Sequence, residues 1–275
     1  MGLENSTGRR LPGTCGSDRS RHLLEPPQQR AAKSEVRRSD RVGAGIRGQA
    51  MVITEIFKSI QGEGTRAGLP CVFVRLTGCN LRCTWCDTAY AFHGGTKHSI
   101  DEVMEKVHAL AGGGERRVAL VEITGGEPLL QAETPALAEK LIADGYTVMI
   151  ETSGEQFIGV LPHGVIKIVD VKCPDSGEPD TFHMANLEAV GAKDEIKFVI
   201  STRRDFDFAR DFVKKHRLAE RVHQVLFSPV FEDPGGKWPG LTARELAEWI
   251  LEDGTPVRLG LQLHKFIWDP AMKGV

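Results

Sequence analysis

From residue 51 onward the chain alternates short apolar runs with amphipathic stretches of helical period, and this alternation limits the fold more than any other feature. Runs of strand length rich in β-branched and aromatic residues are VITEIF at 52–57, CVFVRLTG at 71–78, RVALVEITGG at 117–126, YTVMIETSG at 146–154, VIKIVDVK at 165–172, DEIKFVIS at 194–201, RVHQVLFSPV at 221–230 and PVRLGLQL at 256–263. Helix patterns lie between several of them. SIDEVMEKVHALA opens on a serine cap backed by a glutamate, TPALAEKLIADG starts on Thr-Pro and stops at Gly145, and RRDFDFARDFVKKHR and LTARELAEWILEDG supply two more. Strands and helices in this order predict a parallel sheet with helices packed outside it. Ligands of such sheets collect at the carboxyl ends of the strands. GCNLRCTWCD, TGGEP, ETSG and DVKCP follow the second, third, fourth and fifth strands, so the four motifs converge on one face.

The chain has 275 residues, 41% of them hydrophobic, enough for one catalytic domain over 51–275. A regular eight-unit barrel takes about 250 residues, and the stretch between the cysteines and TGGEP holds one helix. The expected architecture is therefore an incomplete, open barrel. No run of about 18 apolar residues occurs, which argues against a membrane span. Residues 1–50 carry ten Lys or Arg against five Asp or Glu, leaving the opening at +5 and the body at −7. Rich in Arg, Ser, Gly and Pro, without aromatics or period, this segment reads as a disordered basic extension. Its simplest origin is an upstream start codon, with Met51 opening the folded protein. Neither nucleic acid nor membrane is expected as a partner. Lacking a secretory apolar region, the chain is expected in the cytoplasm.

Six cysteines stand at 15, 71, 79, 83, 86 and 173. In a long chain of a reducing compartment, thiols crowded within eight residues suggest metal rather than disulfides. Cys79, Cys83 and Cys86 form C-x3-C-x2-C in a loop short enough to bring three soft ligands to one centre. A structural zinc takes four protein ligands, whereas a 4Fe-4S cube on three thiolates leaves one iron open. A zinc site completed by Cys173 or His93 is the other reading of the same residues.

The cysteine loop, with Trp85 before its last Cys and Gly125-Gly126-Glu127-Pro128 ending the next strand, resembles the radical S-adenosylmethionine superfamily. SIQGEGTRAGLPCVFVRLTGCNLRCTWCDT from Ser59 to Thr88, then ITGGEPLLQ, ETSG, DVKCP and LQLHKFIW, look like the 7-carboxy-7-deazaguanine synthases over roughly 51–270. The resemblance implies an α/β fold, an incomplete, open parallel β/α barrel. It implies a lyase that converts 6-carboxy-5,6,7,8-tetrahydropterin to 7-carboxy-7-deazaguanine with loss of ammonia, on the way to queuosine. The implied cofactors are a 4Fe-4S cluster, S-adenosylmethionine and Mg2+. An external one-electron reductant and a homodimer are implied as well.

Site residues carry over position by position. Cys79, Cys83 and Cys86 hold the cluster and Thr88 the magnesium. Trp85, Cys86, Asp87, Gly126, Asp170, Val171, Lys172, Phe227, Ser228, Pro229 and Val230 meet S-adenosylmethionine. Ile60, Gln61, Gly62, Glu63, Arg75 and Thr124 meet the substrate. Their chemistry suits a pterin: Gln61 and the backbone of Ile60 and Gly62 offer paired hydrogen bonds, Glu63 accepts from ring N–H groups, and Arg75 presents a fork to the carboxylate. Two departures stand out: Asp170 occupies a position where the family often has serine, and SPV at 228–230 replaces a more usual QP. Glu151 and Thr152 hold ribose hydroxyls or merely end a buried strand. Asp87 touches cofactor or caps the next turn, Cys173 is a half-buried thiol, and the roles of His264 and Lys265 are open.

Two rivals share parts of this pattern. An activating enzyme that installs a glycyl radical on a partner has the cysteines and GGEP but no need of QGEG and Arg75. A non-catalytic zinc or iron-sulfur module has no use for an open iron.

Overall fold

The computed structural model describes residues 50–114 and 117–275, all within one compact unit, Arg47–Val275. The expected extension over 1–50 lies, Ala50 apart, outside the described residues. Among the described residues nine strands form one sheet in the order β3-β1-β2-β4-β5-β6-β7-β8-β9. They are β1 Ala50–Ile60, β2 Pro70–Leu76, β3 Thr96–Ser99, β4 Leu120–Gly125, β5 Thr147–Thr152, β6 Ile166–Asp170, β7 Glu195–Ile200, β8 Gln224–Pro229 and β9 Arg258–Leu259. β3 and β9 are unpaired edges, so the barrel is open.

From β2 through β9 every pairing is parallel, but β1 runs antiparallel to β2 and to β3. The parallel sheet expected from the sequence is present from β2 to β9, and β1 departs from it for a simple reason. Only residues 61–69 separate β1 from β2, too few for a crossover, so the pair closes as a hairpin. The last strand is also shorter than its apolar run. Gly260 N–H still donates to Phe227 O, but Leu263 N–H then donates to Gly62 O, turning the chain out of the sheet and toward the loop after β1.

The helices are α1 Ile100–Ala111, α2 Thr134–Ala143, α3 Asn186–Ala189, α4 Arg203–His216, α5 Ala243–Asp253 and α6 His264–Ile267. Ser99 and Glu102 form a reciprocal capping box on α1, while Thr202 and Thr242 cap α4 and α5. No helix among the described residues is long and apolar enough to cross a membrane.

Strand alternation divides the sheet into two faces. The outer set, including Val72, Val74, Val121, Ile123, Val148, Ile150, Ile196, Phe198 and Phe227, packs with Val103, Val107, Leu137, Leu141, Phe206 and Leu246 of the helices. Each such buried side chain contributes about 1.5–3 kcal/mol. The concave face begins at the amino ends of the strands with a small apolar plug, Cys71, Phe73, Leu120, Met149, Ile166 and Ile168, backed by Phe57. Above the plug the same alternation brings Glu122, Thr124, Glu151, Asp170 and Lys197 inward. Glu122, Thr124, Asp170 and Lys197 are buried.

Candidate active site

A cavity of about 340 Å³ opens on the concave face and is lined by the cysteine loop, the loop after β1, the carboxyl ends of β4 to β8 and the C-terminal segment. The convergence of motifs read from the sequence is therefore real in three dimensions.

The cysteine loop follows β2 and is held from outside by the β6–β7 connection. Thr84 N–H donates to Ser176 O at 2.7 Å, Arg82 N–H donates to the Glu178 carboxylate, and the Arg82 guanidinium turns back to Cys79 O and Leu81 O at 2.8 and 2.6 Å. Burial pushes the Cys83 thiol up to about 11, against the pull of Lys172, and raises Cys79 and Cys86 in the same direction. Binding a cluster there would release protons that the buried thiols hold tightly. Lys172 acts electrostatically on all three sulfurs, a cation suited to balance thiolates.

The three thiols line a single cavity, and a trio of soft thiolate donors with no fourth cysteine in the same loop suits a 4Fe-4S cluster.

The glycine pair has a steric reason. A Cβ on Gly126 would stand 2.2 Å from Gly78 O and 2.7 Å from Cys79 Cβ, and one on Gly125 would stand 2.4 Å from Leu76 O. Only glycine lets the end of β4 lie this close to the cysteine loop. Glu127, fully buried, turns away from the cavity. Its carboxylate accepts from Thr152 Oγ1, Ser153 N–H, Ser153 Oγ–H and Leu129 N–H, fastening the end of β5 to the glycine turn.

Deeper in the cavity lies a charged layer. Lys197 Nζ donates to Glu63 Oε2 at 3.0 Å and to Glu151 Oε1. Gln61 Nε2 donates to Glu122 Oε2, while Gln61 Oε1 accepts from Glu63 N–H at 3.0 Å. Burial alone lowers a lysine, but Glu151, Glu63 and Asp170 hold Lys197 well above its usual range. Burial would raise Glu63, but Lys197, Gln262 and His264 bring it below the usual carboxylate range. Burial and the charges of Glu151 and Glu63 push Glu122 up to about 8.

Arg75 sits at the edge of this layer. Its Nε donates to Glu55 Oε1 at 2.8 Å, and its guanidinium lies 5.7 Å from the Phe57 ring centre and 5.9 Å from that of Tyr90. The structural ion pair and the open fork thus coexist, because the terminal nitrogens have no acceptor among the described residues. The C-terminal segment completes the wall. Gln262 Nε2 donates to Glu63 Oε1 at 3.0 Å and reaches Asp87 Oδ2 at 3.3 Å, which also accepts from Lys265 Nζ at 2.8 Å. Asp87 Oδ1 accepts from Thr88 Oγ1 at 2.9 Å. Asp87 is thus engaged by the C-terminal segment and by Thr88.

Cys79, Cys83, Trp85, Cys86, Asp87, Thr88, Ile60, Gln61, Gly62, Glu63, Arg75, Thr124, Gly126, Asp170, Lys172, Ser228, Pro229 and Val230 all line the cavity. Val171 and Phe227 do not. Their side chains, 1% and 0% exposed, lie on the helix-facing side of the sheet. Val171 N–H is taken by Lys197 O and Phe227 O by Gly260 N–H. Cys173 is 1% exposed rather than half-buried.

Sequence reasoning missed Glu122, Lys197 and Gln262. It also missed Glu195, fully buried at the start of β7, which accepts from Thr65 N–H at 3.2 Å and pairs with Arg66, tying the loop after β1 across to β7. A signal was present for three of them. Central parallel strands covered on both faces are apolar throughout, so the charges inside LVEITG and EIKFVI had to serve something on the inner face.

The sequence pattern of the Radical SAM superfamily matches residues 73–162. QueE from Escherichia coli has the same fold, with a TM-score of 0.61 at 22% identity over 78% of this chain and 95% of that one. Fold and site together define a radical S-adenosylmethionine enzyme, a class that works with a 4Fe-4S cluster and S-adenosylmethionine.

Sequence relatives narrow the class. A 7-carboxy-7-deazaguanine synthase of Koribacter versatilis is 54% identical over 231 residues, 82% of this chain and all of that protein. Another from Chlorobaculum tepidum is 40% identical over 226 residues, 81% of this chain and 96% of its own length. The chain belongs to the 7-carboxy-7-deazaguanine synthase family. Neither the activating-enzyme nor the zinc-module alternative is favoured by these relatives.

Proposed function

We propose that the chain converts 6-carboxy-5,6,7,8-tetrahydropterin to 7-carboxy-7-deazaguanine and ammonia, with Cys79, Cys83 and Cys86 holding the cluster and Thr88 a magnesium ion. The observation that carries this reading is the meeting, in one cavity, of three thiols at the rim with a layer of amide, carboxylate and guanidinium groups beneath. When bound, the cluster and S-adenosylmethionine supply a carbon-centred radical, and every other task falls to the chain.

Gln61 and Glu63 present acceptors and a donor to the amide edge of the pterin. Lys197 and Gln262 keep the Glu63 carboxylate ionised and aimed. The terminal nitrogens of Arg75 take the substrate carboxylate, with Glu55 fixing the fork's direction. Thr124 contacts the ring from β4. Gly126, Asp170, Lys172 and the 228–230 turn form the wall for S-adenosylmethionine, to which Trp85, Cys86 and Asp87 contribute from the cysteine loop. Asp170 replaces the frequent serine and is paired with Lys172 at 2.8 Å, so its charge is compensated. Thr88 offers the hard oxygen that magnesium favours. Homodimer formation, a cytoplasmic setting and an external one-electron donor belong to the same proposal.

The test is anaerobic reconstitution with iron and sulfide, then incubation with reductant, S-adenosylmethionine, Mg2+ and the carboxypterin. The expected result is 7-carboxy-7-deazaguanine, formed fastest with magnesium. Consumption of S-adenosylmethionine without that product would place the chain elsewhere in the superfamily. In the same assay Arg75→Ala is expected to raise the Michaelis constant by an amount equivalent to about 2 kcal/mol, the lower range for truncating one partner of a buried charge pair. An unchanged constant removes Arg75 from the substrate site.

A further inference from the structure

The charged layer holds one more carboxyl group than its cations explain. Three carboxyls, Glu63 from the loop after β1, Glu122 from β4 and Glu151 from β5, share a single ammonium, Lys197 from β7. Lys197 engages two of them, Glu63 and Glu151, and among the described residues Glu122 forms no ion pair, Lys197 acting on it only at longer range. Glu122 is 3% exposed, and among the described residues its carboxyl accepts one hydrogen bond, from Gln61, itself 4% exposed. An ionised carboxylate in that position would be desolvated, beside two like charges and hydrogen-bonded only by a neutral amide, an arrangement that proteins avoid by keeping the group protonated.

The geometry then fixes what Glu122 has to offer. Gln61 donates to Glu122 through Nε2 because its Oε1 already accepts from Glu63 N–H, so Glu122 Oε2 is an acceptor and cannot carry the proton along that bond. The proton belongs on Oε1, which no protein group meets among the described residues. Glu122 lines the cavity, and Oε1 is not among the fully buried oxygens left without a partner.

We propose that Glu122 is a substrate-recognition residue acting as a neutral carboxylic acid, its Oε1–H donated to an acceptor on the bound ring, a lactam oxygen or imine nitrogen, while Oε2 fixes the Gln61 amide. Beside Glu63, an acceptor-only group, this makes the floor of the site read a donor and an acceptor on one ring edge, the signature of a lactam or amidine heterocycle. The inference deepens the carboxypterin reading and rests on it.

A dependence on pH follows with a definite sign. Glu122 is protonated below about 8, so the donor is present at neutral pH and disappears as pH rises through that value. Of the groups facing it, Lys197 stays charged, the Cys71 thiol of β2 is raised by burial far above its ordinary range, and Glu63 is ionised throughout. Glu151 is raised as well but is paired with Lys197. His264, which acts on Glu63, is lowered by burial, away from the value of Glu122.

Glu122→Gln separates the donor from the charge: it keeps an N–H to donate and an oxygen for Gln61, and it cannot ionise. Glu122→Leu keeps the bulk and loses both. Two measurements on the cluster-loaded protein without reductant form the test. The first is the infrared band of a protonated carboxyl at pH 7, expected in the wild type and missing in Glu122→Gln; its absence from the wild type overturns the proposal whatever the ligand does. The second is anaerobic binding of the carboxypterin between pH 6 and 9.

Wild-type Kd is expected to rise about tenfold between pH 7 and 9, as a single group near 8 dictates. Glu122→Gln is expected to stay within threefold of the wild-type pH 7 value across the range, and Glu122→Leu to be at least tenfold weaker at pH 7. A pH profile for Glu122→Gln that parallels the wild type, or binding as weak as that of Glu122→Leu, overturns the proposal. A protonated Glu122 in a wild-type protein that does not bind the carboxypterin overturns the substrate reading and the donor role with it, while leaving the neutral acid established.

Discussion

Cys83→Ala is expected to leave the sheet and helices in place and to abolish turnover. Cys83 lies in a loop outside the strands, where Thr84 N–H donates to Ser176 O and Arg82 N–H to the Glu178 carboxylate, so the core packing of the outer face does not depend on its sulfur. Removing one of three cluster ligands is worse than removing an outer partner of a metal ligand, which already costs roughly 10–100-fold, so the expected loss exceeds that range. Iron and sulfide content after anaerobic reconstitution, together with far-ultraviolet circular dichroism, checks both halves. Full iron occupancy in Cys83→Ala would remove that residue from the cluster.

Lys197→Met is expected to have the largest effect on stability. Lys197 is 6% exposed and holds two carboxylates that reach the cavity. Breaking a buried pair by removing one partner costs about 3–5 kcal/mol, and the partial exposure of Glu63 and Glu151 places this case near 3. The sign of its pH dependence follows from the freed carboxylates. Without the ammonium they bind protons more readily in the folded than in the unfolded chain, so the folded state is penalised as pH rises through the ordinary carboxylate range. The loss is therefore fully developed at neutral pH and shrinks as pH falls toward 5. Urea unfolding at pH 5 and pH 7.5 reads this directly. A loss below about 1 kcal/mol, or one that does not change with pH, would mean that the charged layer is solvated rather than buried.

The sheet and its helices were legible because their signals are local. Ser99 with Glu102, Thr202 and Thr242 mark helix starts in the sequence and cap them in the structure, and the apolar runs of β4 to β8 are long enough to be unambiguous. β3, with the sequence TKHS, has no apolar alternation and exists because β1 offers it an edge. The antiparallel β1 was also hidden, since its run looks like any other strand and only the short loop to β2 decides its direction. LQLHKFIW has strand-like composition at its start, yet leaves the sheet to bond the loop after β1.

In the site, the rim was easier to read than the floor. Clustered cysteines and paired glycines have few other uses, and Gly126 turned out to be demanded by contact with Gly78 and Cys79. Glu122, Lys197 and Glu195 are charged residues within strands, a pattern shared with strands that face water, and they announce themselves only once the sheet is known to be covered on both sides. The side chains of Val171 and Phe227 lie one position out of phase with the inward face and pack with the helices instead.

The central claim is that three thiolates leave one iron free for S-adenosylmethionine. Electron-nuclear double resonance on the reduced, oxygen-protected cluster, with S-adenosylmethionine labelled with nitrogen-15 in its amino group and oxygen-17 in its carboxylate, tests it at the atom concerned. The expected result is coupling of the cluster spin to both labels. A cluster that shows neither coupling and whose irons are all bound by the protein, or a purified protein that holds zinc, would contradict the account.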